Sequence, residues 1–341
     1  MLIQEKHAIE IRPMEKSYLP EMAQMVAARV KRQRKAVTML DNRLESPEAL
    51  LPQLEALFQY GSGRVALENG ILAGFMAGWL IPAFMGTQNG VFVPEVGFGA
   101  DSVDPARTIR LFRALYAETC RVWCAAGWVN HAFCTYQEER AFRDFLVYQG
   151  FGGVCFDCVR PALPLNLPIP RELRIREVDP GAAGTMQAWL ELANLHTRYM
   201  RSAPICLGSA DERIEESELA DWLGKEHHCA WVAEPASGGQ AIAYLQIEPE
   251  TEGTSMLVHE PGNLAVTGAF TRPEARGEGV ATLLLDAALK KAEQLGMTRV
   301  SVDFETRNTP AMSFWTRHFT PFTYSLLRCV DERAVVRELA D

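Results

Sequence analysis

Residues 272–285 read RPEARGEGVATLLL. Gly277 and Gly279 separate a charged turn from a run of good helix formers. The stretch before it, NLAVTGAFT from Asn263, reads as a strand, so a strand runs through a glycine turn into a helix. The first turn of a helix leaves four N–H groups without intrahelical partners, and the macrodipole adds partial positive charge there. Glycine allows positive φ and a close approach of the backbone to a ligand. Together these features describe an anion site suited to phosphate or pyrophosphate, with Arg276 adding charge-assisted bonding. A plain loop-to-helix turn is the other reading. The spacing is neither GxxxxGK(S/T) nor GxGxxG, which disfavours a nucleoside-triphosphatase loop and a dinucleotide fingerprint.

The chain of 341 residues is long for one core, so two domains are expected. A hydrophobic share of 48%, a charged share of 23% and a net charge of -9 describe a globular protein with no basic face for nucleic acid or an anionic membrane. The one basic run, RVKRQRK at 29–35, follows Met22, Met25, Val26 and Val30 at helical spacing and reads as the solvated side of a helix. The N-terminus MLIQEKHAIEI does not read as a secretory signal, and no apolar window reaches ~18 residues, so no membrane span and a cytoplasmic location are expected. The eight cysteines are scattered, which suits reduced thiols. Cys155 and Cys158 would face opposite sides of a strand, and Cys120 and Cys124 read as small apolar helix residues. No metal site is expected.

The proline-rich stretch PALPLNLPIPREL (161–173) divides the chain nearly in half. The first half reads as helices Pro20–Ala36 and Pro47–Tyr60, a hairpin over 64–81 around Asn69-Gly70, and a strand over 90–100. A helix Pro105–Ala126, a strand His131–Thr135, a helix Arg140–Tyr148 and a strand Phe151–Arg160 follow. The second half repeats the order. Helices Ala182–Tyr199 and Ser217–Leu223 precede a hairpin over 229–248 and a strand Leu264–Thr271. The helix Glu278–Leu295, strand Val300–Phe304, helix Pro310–Arg317 and strand Tyr324–Val330 complete it. The matching order predicts an internal duplication, with domains 1–165 and 166–341. The fold class is α/β (α+β), two domains each with a mixed, mostly antiparallel sheet flanked by helices.

The loop resembles the signature of the GNAT superfamily of N-acetyltransferases, Arg/Gln-x-x-Gly-x-Gly/Ala at a strand-to-helix junction. Arg276, Gly279 and Ala281 fill those places, with Pro273 and Gly277 alongside. A second family segment is matched by Asn308, Ala311, Phe314 and Trp315 in NTPAMSFWTRHF (308–319). The resemblance implies acetyl-CoA as co-substrate. Arg276, Gly277, Glu278, Gly279, Val280 and Ala281 would hold its pyrophosphate. The strand edge near Phe270 and Thr271 would pair with the pantetheine. Asn308, Phe314 and Trp315 would border its other side. Many members carry, where Trp315 stands, a tyrosine that protonates the departing thiolate, and an indole cannot act as an acid. Tyr324 is the nearest alternative hydroxyl, and water is another. Asp303 and Glu305, on one face of their strand, are candidate general bases, with Glu248 a third. His196, His227 and His228 read as surface or packing residues.

The equivalent junction in the first half, ADSVDPARTIRLF (100–112), has no glycine after Gly99 and carries Asp101 and Asp104. Carboxylates cap a helix well but repel a pyrophosphate. FRDFLVYQGF (142–151) still resembles the family's closing segment, so residues 1–165 read as a degenerate copy without the loop. The expected activity is transfer of an acetyl group to a primary amine of a small molecule or peptide. A longer acyl group, a hydroxyl acceptor, or a non-catalytic CoA-sensing or protein-interaction module are the alternatives. Glu248, Glu250 and Glu252 would suit a cationic acceptor or a solvated turn. No nucleic acid or membrane partner is expected, and a homodimer is among the states the sequence allows.

Overall fold

The computed structural model describes residues 9–86, 88–181, 183–209, 211–249, 255–259, 261–331 and 333. Glu250 and Glu252 of the acidic cluster, and Ala182, the expected first residue of a helix, lie outside them. The chain forms two compact units: Met1–Phe156 with Phe322–Asp341, and Asp157–Pro321.

The first unit contains β1 (Ile9–Pro13), α1 (Leu19–Ala36), α2 (Pro47–Tyr60), β2 (Gly61–Glu68), β3 (Ile71–Ile81), β4 (Gly90–Val93), β5 (Phe98–Ala100), α3 (Pro105–Ala125), β6 (Asn130–Tyr136), α4 (Arg140–Tyr148) and the start of β7 (Gly152–Pro161). The β2–β3 hairpin turns at Asn69 (φ 54°) and Gly70 (φ 77°), where a tight turn with the strands' own twist needs positive φ twice. The strand expected over 90–100 is two strands. Pro94 withholds a ladder donor, the chain turns, and β5 leaves β4's line to pair with β3. β6 is buried along its whole length, between β4 on one side and β13 (Thr320–Cys329) on the other. The core gathers Phe98, Phe112, Tyr116, Phe133, Phe142 and Phe151 in edge-to-face contacts.

α1 departs from its expected polar side. Within RVKRQRK, Lys31, Arg32 and Lys35 are exposed, but Arg29 and Gln33 are buried. Arg29 forms a two-pronged pair with Glu139 (2.6 and 2.8 Å), donates to the carbonyls of Glu95 and Phe98, and lies 3.6 Å over the Phe98 ring. Distant elements supply all of these partners, so local spacing carried no sign of them.

The second unit contains β8 (Leu173–Glu177), α5 (Ala183–Arg201), α6 (Glu216–Leu223), β9 (Cys229–Pro235), β10 (Ala243–Pro249), β11 (Asn263–Thr271), α7 (Val280–Gln294), β12 (Arg299–Glu305) and α8 (Thr309–His318). Its strands follow the order β12-β11-β10-β9-β8, antiparallel except for the parallel pair β11–β12. β7, which runs across the boundary between units, is β12's other neighbour. The proline-rich linker is tied down: the N–H groups of Leu165, Asn166 and Leu167 donate to the buried Asp286 carboxylate of α7 at 2.7, 2.9 and 3.1 Å.

The units therefore divide differently from the single cut expected at 165/166. Residues 157–165 join the second unit, and 322–341, with most of β13, join the first. Strand partners are chosen by long-range register, which composition around a linker does not encode. Among the described residues, no helix is long and apolar enough to cross a membrane.

Candidate functional site

The site begins where β11 leaves β12. The two strands are in parallel register from Asn263↔Arg299 to Val266↔Val302 and no further. At that point the register with β10 also shifts, between Gln246 and Ile247, leaving Thr267 as an extra residue. A bulge bends its strand and increases twist, which explains the separation. Gly268 leaves room here for two side chains of β10. A Cβ would come within 3.0 Å of both Gln246 and the Tyr244 hydroxyl. Past the bulge, residues 268–271 keep their pairing to β10 but turn an open edge toward a cleft.

The phosphate-type loop closes one end of that cleft. Gly277 (φ 86°) and Gly279 (φ 79°) are left-handed, and Gly279 caps α7 with no side-chain cap. The N–H groups of Thr282 and Leu283 turn back to the Gly279 carbonyl. A Cβ at Gly277 or Gly279 would meet no protein atom within 4 Å. The glycines are thus demanded by backbone conformation, and the space above them is open. Bare helix N–H groups beside open space, on an exposed loop, are what an anion needs.

The cleft encloses about 350 Å³. Of the residues expected to hold a cofactor, Phe270, Thr271, Arg276, Gly277, Gly279, Val280, Ala281, Asn308, Phe314 and Trp315 line it, and Glu278 does not. Glu278 is exposed, on the turn between the two left-handed glycines. Arg276 is placed differently from its expected role. Its Nε donates to the Thr271 carbonyl at 3.1 Å, and its guanidinium lies 4.7 Å over the Tyr199 ring. It braces the end of β11 against α5.

Asn308 caps α8, its Oδ1 accepting from the Ala311 N–H at 3.3 Å and from the Tyr199 hydroxyl at 3.2 Å. Trp315 is buried between Phe314 and Phe319, ring centroids 4.7 and 5.5 Å away. Tyr324 does not join the cleft. It sits on β13 in register with Thr135, packs edge-on against Phe156 at 4.3 Å, and lies beneath the Arg143 guanidinium, all within the first unit. Its proposed acid role is corrected on that ground: β13 is recruited by β6, a pairing no local signal announces.

Asp303 and Glu305 are not among the cleft-lining residues. Asp303 is exposed. Glu305 ends β12 just beyond the point of separation. Its Oε2 is buried without a hydrogen-bond partner, and burial raises its pKa. Glu248 is engaged elsewhere, accepting from the Trp222 indole at 3.0 Å with His228 at 3.5 Å.

The cleft wall also carries three polar ring residues not expected there: His196, read from sequence as a surface or packing residue, Tyr199 and Tyr244. His196 and Tyr199 project from α5, and Tyr244 from β10. The tyrosine hydroxyl lies 2.9 Å from His196 Nδ1, and the imidazole stacks on Phe270 (5.7 Å, 25°). Helical spacing places His196 and Tyr199 together, i and i+3, but only the packing of α5 on the sheet brings them to Phe270 and Asn308.

Residues 189–319 match the family model described as "Acetyltransferase (GNAT) family". No curated protein matches the sequence. Among solved structures, the chain is similar to a GCN5-related N-acetyltransferase from Sphaerobacter thermophilus (TM-score 0.53, 13% identity, 94% of this chain and 95% of that one). It is also similar to the glucosamine N-acetyltransferase region of a fungal multi-domain GH3 beta-N-acetylglucosaminidase (0.53, 13%, 95% and 38%). A tandem GNAT protein from the clavulanic acid biosynthesis pathway aligns with TM-score 0.47 at 12% identity over 94% of this chain and 98% of its own. At such identities the likeness concerns the fold.

Proposed function

We propose, from the match of residues 189–319 to the GNAT acetyltransferase family model, that the protein transfers an acetyl group from acetyl-CoA to a primary amine of a small molecule or peptide. The observation that carries this is the continuity of two features in one cleft. Left-handed Gly277 and Gly279 expose helix N–H groups at one end, and the open edge of β11 runs away from them. The first fits a pyrophosphate, the second the amides of a pantetheine arm. The thioester would supply an activated acyl carbon: one N–C bond forms, the C–S bond breaks, and the proton lost by nitrogen ends on sulfur.

The chain's own groups divide the remaining work. Glu305, whose buried Oε2 accepts no hydrogen bond and lies 4.0 Å from the Arg307 guanidinium, is the proposed proton acceptor for the amine, acting through water. Its raised pKa improves it as a base relative to an ordinary carboxylate. Trp315 offers no acidic proton, so water protonates the thiolate. Asn308 and Phe314 would border the bound arm, and the first unit, without the loop, is proposed as a degenerate copy. The test is thiol release from acetyl-CoA by the full chain with a panel of amines. Amine-dependent release supports the reading. Tight CoA binding with no release for any amine favours a non-catalytic CoA sensor, which the absence of any carboxylate among the described cleft-lining residues makes the second reading.

A further inference from the structure

The His196–Tyr244 pair sits on the wall of the cleft, and its hydrogen bonding can be worked out atom by atom. Tyr244 is 4% exposed, and its hydroxyl has a single protein partner among the described residues, His196 Nδ1. A hydroxyl has one proton to place. Leaving it without an acceptor in a buried site costs about 1–3 kcal/mol. If Nδ1 carried the imidazole proton, it would donate to the tyrosine oxygen, and the tyrosine proton would have no acceptor. The economical arrangement has Tyr244 donating to Nδ1. Burial pushes the His196 pKa down to about 4, so the ring is neutral at physiological pH, and burial raises that of Tyr244, which keeps its proton. A neutral imidazole that accepts at Nδ1 carries its proton on Nε2. No described residue hydrogen-bonds to Nε2, and His196 is partly exposed on the cleft side. Stacking on Phe270 holds the ring in place.

Tyr244 and Phe270 are cross-strand partners, and the Tyr244 hydroxyl lies beside Gly268, at the bulge. The phosphate-type loop follows the other end of β11, beyond Thr271. An arm laid along the open edge from that loop brings its reactive end toward 267–268, next to the pair. We propose that Tyr244 fixes neutral His196 as the Nε2–H tautomer, and that this N–H is a side-chain donor to the acyl carbonyl oxygen of the bound thioester. In this assignment His196 is a catalytic residue and Tyr244 a positioning residue. An imidazole locked in this form gives a hydrogen bond where negative charge develops and cannot serve as the amine's base, which leaves that task to a carboxylate or water.

The oxygen-binding part rests on the acetyl-CoA reading, and the tautomer does not, so the two are tested separately. Long-range ¹⁵N-edited NMR of the full, unliganded chain at neutral pH is expected to show His196 protonated at Nε2 and bare at Nδ1, with a tautomer mixture in Tyr244→Phe. An Nδ1–H form or an imidazolium in the wild type overturns the proposal. The ketone analogue acetonyl-CoA is then added beside CoA itself. Movement of the His196 Nε2–H resonance with the ketone and not with CoA supports the assignment. Binding of both with no difference overturns it. Failure of either to bind overturns the acetyl-CoA reading and with it the oxygen contact, while the tautomer result stands. In turnover, His196→Ala is expected to lower kcat on the order of 100-fold with CoA affinity nearly unchanged, and His196→Gln, which keeps an N–H donor, to recover part of it. Equal kcat in wild type and His196→Ala overturns the catalytic role.

Discussion

The two units meet the same topological position, the strand-to-helix junction, with opposite chemistry. In the second, α7 starts at a left-handed glycine with no side-chain cap. In the first, α3 starts at Asp104, whose carboxylate accepts from the Ala106 and Arg107 N–H groups at 3.3 and 3.2 Å. Arg107 in turn pairs with Asp101 and Glu68. The N–H groups that one unit leaves without a side-chain cap are taken in the other by its own carboxylate. The walls differ in the same sense. Where α5 presents His196 and Tyr199 to a cleft, α1 inserts Arg29 onto Phe98 and Glu139. In the first unit a charged cap satisfies the backbone and a buried ion pair fills the space beside Phe98.

The largest expected effect concerns the boundary between these units. Expressed alone, residues 1–165 lack β13, so β6 keeps β4 but loses its other hydrogen-bonded neighbour and becomes a bare edge, and the fragment should aggregate or fail to fold. Adding residues 320–331 through a flexible linker should restore a cooperative unfolding transition. A well-folded fragment without them would make β13 dispensable. Next is Arg29→Ala, which strands the Glu139 carboxylate and leaves a hole over Phe98. A loss of about 3–5 kcal/mol is expected in denaturant unfolding, with no direct change in CoA affinity. A loss below ~1 kcal/mol would mean that the ion pair does not hold the filled site together.

Gly279→Val comes third. Its Cβ meets no protein atom, so the penalty comes from φ 79° and from the ligand. CoA affinity measured by calorimetry should fall more than tenfold, above ~1.4 kcal/mol, with a stability loss of about 1–3 kcal/mol from the strained backbone. Gly279→Asn separates the two causes, since asparagine tolerates the left-handed region. It should unfold much like wild type and still bind CoA poorly. If it binds normally, the loop needs only the turn.

The smallest effect at neutral pH is acid sensitivity. Arg29 does not titrate in the accessible range, whereas the folded His196 pKa is depressed from 6.5 to about 4 by burial. Between those values the unfolded chain binds the extra proton, so stability falls as pH drops from 6.5 toward 4. Thermal melts across that window should show a His196-dependent decline that His196→Gln reduces. Identical declines in both proteins would remove His196 as the cause.

Most of the element order was legible in the sequence, because helix and strand periodicities and the Asn69-Gly70 turn are local. β1 and β8, each of five residues, and the break between β4 and β5 were not. Strands so short carry too few residues for a period to show. The cleft was legible on its loop side for a similar reason. Glycines needing positive φ announce themselves, and ten of the residues expected around them do line it. The opposite wall was not legible. His196 and Tyr244 lie forty-eight positions apart, and nothing near either one signals the hydrogen bond between them.

Legible from the amino-acid sequence were most of the element order, the glycine turn that bares the start of α7, and an indole at Trp315 where no acidic proton is on offer. Each depends on residues within a few positions of one another, where sterics and backbone hydrogen bonding act directly. Tertiary structure alone decided that β13 completes the first unit and carries Tyr324 with it. It also decided that Arg276 braces β11 and that a histidine on α5 meets a tyrosine on β10. Those outcomes depend on which strands pair and on how a helix lies across a sheet. Such choices are settled by the burial and hydrogen bonding of the assembled unit, and many local sequences would satisfy them equally well.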